Sequence, residues 1–151
     1  RRDMPEVLEI ESACWAWDAW SEQEFLIALR NRNCIGIAAD ALGVVAGYMI
    51  YELHKRHLRI INLAVAPALM RRGVGRAMIE KLTVKLAPDR RAEIVFDVAD
   101  NNLAGHLFLR ACGFTAEGVS RGRFTDALGA PIDGYRFVCR AEEPAGVCLG
   151  R

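Results

Sequence analysis

The stretch Asn62-Leu63-Ala64-Val65-Ala66-Pro67-Ala68-Leu69-Met70-Arg71-Arg72-Gly73-Val74-Gly75-Arg76-Ala77 constrains this chain more than any other part of it. It begins as an apolar strand-like run and ends in a helical pattern, with glycines and arginines at the changeover. A helix starting there leaves its first N–H groups without intrahelical acceptors, beside the positive end of the helix dipole. Gly73 and Gly75 allow close backbone approach, and Arg71, Arg72 and Arg76 add charge-assisted donors, so the segment reads as a phosphate cradle. The plainer alternative is that the glycines shape a turn and the arginines are a solvated face. Two commoner phosphate loops are excluded. The third small residue of a dinucleotide fingerprint would fall on Met78, and no Gly-Lys-Ser/Thr is present.

The elements around this segment set the fold class. Asp3 with Glu6, and Ser21 with Glu24, have capping-box spacing, which predicts helices near Met4 to Cys14 and Glu22 to Arg30. Cys34 to Asp40, Val44 to Leu53 and Leu58 to Val65 read as a three-strand meander. Val74, Met78, Leu82 and Leu86 predict a helix up to about Leu86, ended by Pro88. Glu93 to Val98 reads as a strand and Leu103 to Cys112 as a helix stopped by Gly113. Phe114 to Phe124 with Gly134 to Arg140 forms a closing hairpin. The order ααβββαβαββ implies an α+β domain around one mixed, mostly antiparallel sheet flanked by helices. One domain over 1–140 and a loosely held tail over 141–151 are expected.

Composition narrows the function. The 151 residues suit one domain, and 52% hydrophobic residues supply a core. Twenty Lys and Arg against nineteen Asp and Glu give +1, so no overall field favours nucleic acid or anionic lipid. No apolar run reaches the roughly 18 to 20 residues of a membrane span, and no secretory h-region stands out. Five cysteines, Cys14, Cys34, Cys112, Cys139 and Cys148, lack C-x-x-C spacing, which argues against a disulfide framework or zinc site. A reducing cytoplasm is the expectation, with no metal.

The glycine segment resembles motif A of the Gcn5-related N-acetyltransferase (GNAT) superfamily, Gln/Arg-x-x-Gly-x-Gly/Ala after a strand ending near proline. Asp97-Val98-Ala99-Asp100-Asn101-Asn102-Leu103-Ala104 and then Leu107-Phe108-Leu109-Arg110-Ala111-Cys112-Gly113-Phe114 resemble that family's next block, in which Asn opens a helix ending in Gly-Phe. Asp3-Met4-Pro5-Glu6 and Trp20-Ser21-Glu22 look like the RimI branch, which acetylates the N-terminal alanine of a ribosomal protein. Coverage runs from about Arg2 to Arg140.

The resemblance implies an acetyl-CoA-dependent N-acetyltransferase acting directly on a protein or peptide N-terminus, with a ribosomal protein among the candidate acceptors. The alternatives are acetylation of a small amine, or a silent acyl-CoA-binding domain. It also implies that the backbone of Leu63, Ala64 and Val65 pairs with pantetheine amides and that Arg71, Arg72, Gly73, Val74, Gly75 and Arg76 wrap the pyrophosphate. Asn102 is implied to hold the pantetheine arm, to cap its helix, or both. Met70 replaces the motif's opening Gln/Arg. Asp97 stands where RimI-like enzymes carry a glutamate base, and Leu109, beside the thioester, where they carry a tyrosine acid. His106, one turn before Leu109, is either a reserve acid in the cleft or an exposed helix residue. Glu52 and Tyr135 are further proton-relay candidates, or else ordinary strand residues.

Acid–base groups contribute about 10²–10⁴-fold, and a thiol of pKa ~8.5 leaves readily enough for slow turnover without the tyrosine. An α-amine of pKa ~7.7–8.0 is substantially neutral near pH 7.5, whereas lysine at ~10.4 is not, a difference of roughly 3–4 kcal/mol. A weak base therefore suits an N-terminal amine. Trp15, Trp17 and Trp20 either grip a peptide or pack the core, and Arg121, Arg123 and Phe124 border the same implied groove.

Overall fold

Helix α1 (Met4–Trp15) passes through a 3₁₀ turn (Ala16–Asp18) into α2 (Glu22–Arg30). Three strands follow, β1 (Cys34–Ala41), β2 (Val44–Leu53) and β3 (His57–Val65), then α3 (Val74–Thr83), β4 (Glu93–Ala99), α4 (Leu103–Ala111), β5 (Thr115–Thr125) and β6 (Pro131–Arg140). The computed structural model describes residues 2–142; Cys148 and the expected tail from 143 onward lie outside them. The element order matches the sequence expectation. Among the described residues no helix is long and apolar enough to cross a membrane.

Helix starts differ in how they satisfy their free N–H groups. At α2 the Ser21 hydroxyl accepts from the Glu24 N–H at 3.3 Å, and the Glu24 carboxylate accepts from the Ser21 N–H at 2.7 Å. This is the reciprocal capping the spacing predicts. At α1 the expected box does not form: Asp3 makes no side-chain cap. The Glu6 carboxylate instead accepts from the Val45 N–H at 2.9 Å, pinning α1 to the start of β2. Helix α3 ends at Thr83, short of Leu86. The Thr83 hydroxyl donates to the Glu80 carbonyl at 2.8 Å, a side-chain bond that competes with helical continuation. Leu86 still packs on the core, so its apolar spacing ran past the helix itself.

The sheet order is β1-β2-β3-β4-β6-β5, antiparallel except at the β3/β4 pair. One face packs Met49, Tyr51, Leu58 and Ile60 against Met78, Ile79 and Leu82 of α3 and Leu109 of α4. The other packs Tyr48 and Ile50 against Val7 and Ile10 of α1 and Phe25 of α2.

A bulge in β3 positions everything that follows. Asn62 pairs with Ile50 and Ile60 with Tyr51, leaving Ile61 as an extra residue. An extra residue reverses which face each side chain takes and bends the strand. Leu58 and Ile60 face α3, whereas beyond the bulge Leu63 and Val65 do so and Ala64 turns toward α1. The β3/β4 ladder runs only from His57↔Glu93 to Ile60↔Phe96. Past that point the two strands part.

Candidate active site

A cleft of about 520 Å³ opens where β3 and β4 separate, lined among others by Ile61, Asn62, Leu63, Asp97, Asn102 and Leu109. Trp15, Trp17, Asp18 and Trp20 form its wall on the α1–α2 side, and Phe124 and Thr125 close the hairpin side. Of the expected site residues, Asp97, Leu63, Asn102 and Leu109 thus meet at one opening.

The glycine loop leads into α3 in two left-handed steps, Arg71 at φ 61° and Gly73 at φ 85°. A non-glycine residue in that region is strained. The first helical bond of α3 runs from the Ala77 N–H to the Gly73 carbonyl at 3.0 Å. The N–H groups of Val74, Gly75 and Arg76 therefore precede it, and no side chain caps the helix. Three directed donors at a dipole's positive end are what a diphosphate requires. Gly75 has a second duty, since a Cβ there would stand 2.9 Å from Cζ of Phe108. Its absence lets α3 and α4 approach. Arg76 is partly engaged, its Nη2 donating to the Ala111 carbonyl at 3.0 Å across to the end of α4. Arg71 and Arg72 remain exposed beside the loop.

Asn102 caps α4, its Oδ1 accepting from the Gly105 N–H at 3.0 Å; its amide group sits in the cleft wall. Leu109 is buried in the core under the cleft and offers no proton. His106 is neither exposed nor among the residues lining the cleft. It is half-buried, its Nε2 meets the Ala99 carbonyl at 2.9 Å and its ring abuts Tyr135 and Phe137 at centroid distances of 5.5 and 5.1 Å. Tyr135 is accordingly part of that packing. Glu52 lies at the far end of β2, its carboxylate 2.9 Å from the His54 ring nitrogen. Neither Glu52 nor Tyr135 lines the cleft.

Asp97 does line it, but as the centre of a cationic cluster. Its side chain is 3% exposed, with Oδ2 2.6 Å from Arg59 Nη2 and 3.5 Å from Arg123 Nε, and Oδ1 3.4 Å from Arg136 Nε. Three arginine side chains converge on its two oxygens.

Two other carboxylates border the cleft, both missed from sequence. Glu11 is buried on α1, where Oε1 accepts from the Trp20 N–H at 2.7 Å and Oε2 from Asn62 Nδ2 at 3.1 Å. Burial pushes its carboxyl up, against the opposing pull of those bonds. Asp18 is also pushed up, by burial and then by the nearby Glu24 charge. The available signal was a polar residue on a buried pattern. Glu11 follows Met4, Val7 and Ile10 on the inward face of α1, and Asn62 interrupts an apolar strand, so each required a partner.

Comparison with known proteins places this geometry. Residues 3–114 match the model described as "Acetyltransferase (GNAT) family". The [Ribosomal protein bS18]-alanine N-acetyltransferases of Salmonella typhimurium and Escherichia coli are each 25% identical over 127 residues, covering 84% of this chain and 84% of theirs. The crystal structure of the Escherichia coli ribosomal-protein-S18-alanine N-acetyltransferase superposes with a TM-score of 0.80 at 22% identity, over 97% of this chain and 93% of that one. Chaetomium thermophilum Naa20, in complex with a bisubstrate analogue, gives 0.78 at 18% identity over 93% and 83%.

Proposed function

The chain belongs to the GNAT family of acetyltransferases, and on that premise we propose that it acetylates the α-amine at a protein or peptide N-terminus. It is an acyltransferase that takes acetyl-CoA as donor. The observation that carries the reading is the uncapped start of α3, where Gly75 packs on Phe108, one of the residues lining the cleft that opens as β3 leaves β4. Free N–H groups of Val74, Gly75 and Arg76 fit the pyrophosphate, with Arg71 and Arg72 flanking it. The parted edge of β3 at Leu63 to Val65 supplies backbone groups for the amides of the pantetheine arm, and the Asn102 side chain borders its path. Bound acetyl-CoA supplies a thioester carbonyl open to attack by an amine.

The chain's own residues then orient and exclude. The tryptophan wall and Phe124 narrow the approach, so that amine and carbonyl meet in a restricted geometry. Asp97, held by three guanidiniums, serves to position them. Asp18, whose carboxyl burial pushes up, accepts the amine's proton through water, and Glu11 fixes Asn62 and the Trp20 backbone behind it. An α-amine needs little such help, being largely neutral near pH 7.5, as lysine is not. Leu109 leaves the departing thiolate unprotonated, which slows the reaction without forbidding it. A ribosomal protein is the first acceptor to test, because the curated relatives are named for bS18. A cytoplasmic setting goes with this reading, since Cys14, Cys34, Cys112 and Cys139 are free thiols.

Leu109 also favours a second reading, a domain that binds acyl-CoA without transfer. Incubation with acetyl-CoA and a panel of N-terminal peptides and small amines separates them. Thiol release with an acetyl mass gain on a peptide is expected. Transfer to small amines alone contradicts the peptide reading, and binding with no transfer favours the silent domain.

A further inference from the structure

Three arginines on the open sheet face beside the cleft share one carboxylate. In cross-strand order this face carries Glu52, His57 and Arg59, then Glu93 and Asp97, then Arg136 and Arg140, with Glu117 and Arg123 on β5. Glu52 pairs with His54, and Arg140 engages both Glu117 at 2.6 Å and Glu93 at 3.5 Å. Asp97 is left as the sole carboxylate partner of Arg59, Arg123 and Arg136 among the described residues. Within that cluster one carboxylate faces three guanidiniums. His57 is pushed down by burial first, then by His54, with Arg59 and Arg136 adding to this and Glu93 opposing it, so it does not add to the positive charge of the cluster.

The cluster is built rather than incidental. Arg136 stands directly opposite Asp97 in the β4/β6 ladder. Arg123 must cross β6 to reach Asp97, and a wide bulge carries it there. Ser120 pairs with Gly134 and Phe124 with Ile132, so residues 121–123 stand opposite Asp133 alone. The Asp133 carboxylate accepts from the Gly122 N–H at 2.9 Å, and Gly122 takes φ 61°, fixing the bulge. The Phe124 ring then lies against Gly134, where a Cβ would stand 2.5 Å from its Cε2. Arg59 makes the short contact, whereas Arg123 and Arg136 reach Asp97 only through Nε, at 3.5 and 3.4 Å. Their terminal nitrogens have no protein acceptor among the described residues, and their side chains are 44% and 48% exposed. A guanidinium with its fork unoccupied is suited to a planar carboxylate.

We propose that Arg123 and Arg136, anchored with Arg59 on Asp97, form a subsite selecting acceptors that carry a carboxylate close to the reacting amine, as in a peptide with Asp or Glu in its second position. This rests on the N-terminal acetylation reading and names its substrate class. The cleft is then polarised: Asp18 on the α1–α2 side suits an ammonium entering, and the guanidiniums behind Asp97 take the anionic side chain.

The test uses the full chain and matched peptides differing only in the second residue, Asp, Glu, Ala or Lys. Small amines with and without a carboxylate run beside them, and binding of labelled peptides in coenzyme A is followed by fluorescence anisotropy, which needs no turnover. Acidic peptides should exceed the lysine peptide by about tenfold in kcat/KM or affinity, and added salt should narrow the ratio. Arg123→Gln and Arg136→Gln should each reduce it to within about threefold. Turnover of peptides with equal or lysine-favouring ratios overturns the subsite and leaves the acetylation reading standing, as does a ratio unchanged in both variants. If no peptide is acetylated or bound, the peptide reading fails, and the subsite is decided by whether carboxylate-bearing amines outrun their neutral analogues.

Discussion

At the side proposed to hold the acyl donor, α3 begins on bare backbone N–H groups that no side chain satisfies, whereas on the proposed acceptor side Glu11 and Asp97 are tied to residues of other elements. Binding made of main-chain donors depends on the path of a short loop. A site made of side chains depends on the register of several strands at once. The donor side should therefore respond to changes in backbone conformation and the acceptor side to changes in charge, and the two sets of effects should separate.

The largest effect is expected at Asp97. Asp97→Ala leaves three guanidiniums facing one another, and after allowing for the exposure of Arg123 and Arg136 the loss is about 2–3 kcal/mol of unfolding free energy. Urea melts check this. Coenzyme A affinity per folded molecule should hardly move, and a parallel loss there would erase the division between the two sides.

Glu11→Ala strands the Trp20 N–H and the Asn62 amide in a buried place, a cost of about 2 kcal/mol. Glu11→Gln sharpens the point through pH. Because burial raises the Glu11 carboxyl, the native state retains a proton that the unfolded chain has released above the ordinary carboxylate range. Stability tied to this group is present below that range and falls as pH rises through the raised value. In the glutamine variant that part of the slope in a Tm-against-pH profile should vanish.

On the donor side, Gly73→Val forces a branched side chain into φ 85°, at a cost of about 1–2 kcal/mol. The loop can relieve it only by moving, so coenzyme A affinity should fall along with stability. Ser21→Ala is the control at the capped helix. It should cost about 1 kcal/mol in Tm or urea midpoint and leave coenzyme A affinity alone. Arg71→Ala should give the smallest effect, about 0.5 kcal/mol or two- to threefold in coenzyme A affinity by calorimetry, because its side chain is exposed and screened.

The same contrast explains what could be read from the residues alone. Gly73, Gly75 and the capping pair Ser21–Glu24 act within one or two turns of chain, where spacing is a faithful guide, and the helix–strand succession follows from periodicity. Asp3–Glu6 has the same spacing, yet Glu6 is drawn to Val45, 39 positions away. His106 follows the same rule. Its helical position relative to Leu109 was legible, but the Ala99 carbonyl and the rings of Tyr135 and Phe137 decide where its imidazole goes. The encirclement of Asp97 depends on the β4/β6 register and the bulge at 121–123, neither of which leaves a local signature. Glu11 and Asn62 were visible only as polar residues on apolar faces, each a question whose answer lay 51 positions away.

Amide resonances followed during a coenzyme A titration test the account most directly. Saturable shifts concentrated on Gly73, Val74, Gly75 and Arg76, with Glu22 to Glu24 at the capped start of α2 unmoved, are the expected result. Saturable binding that leaves residues 73–76 undisturbed, or no binding at all, contradicts it.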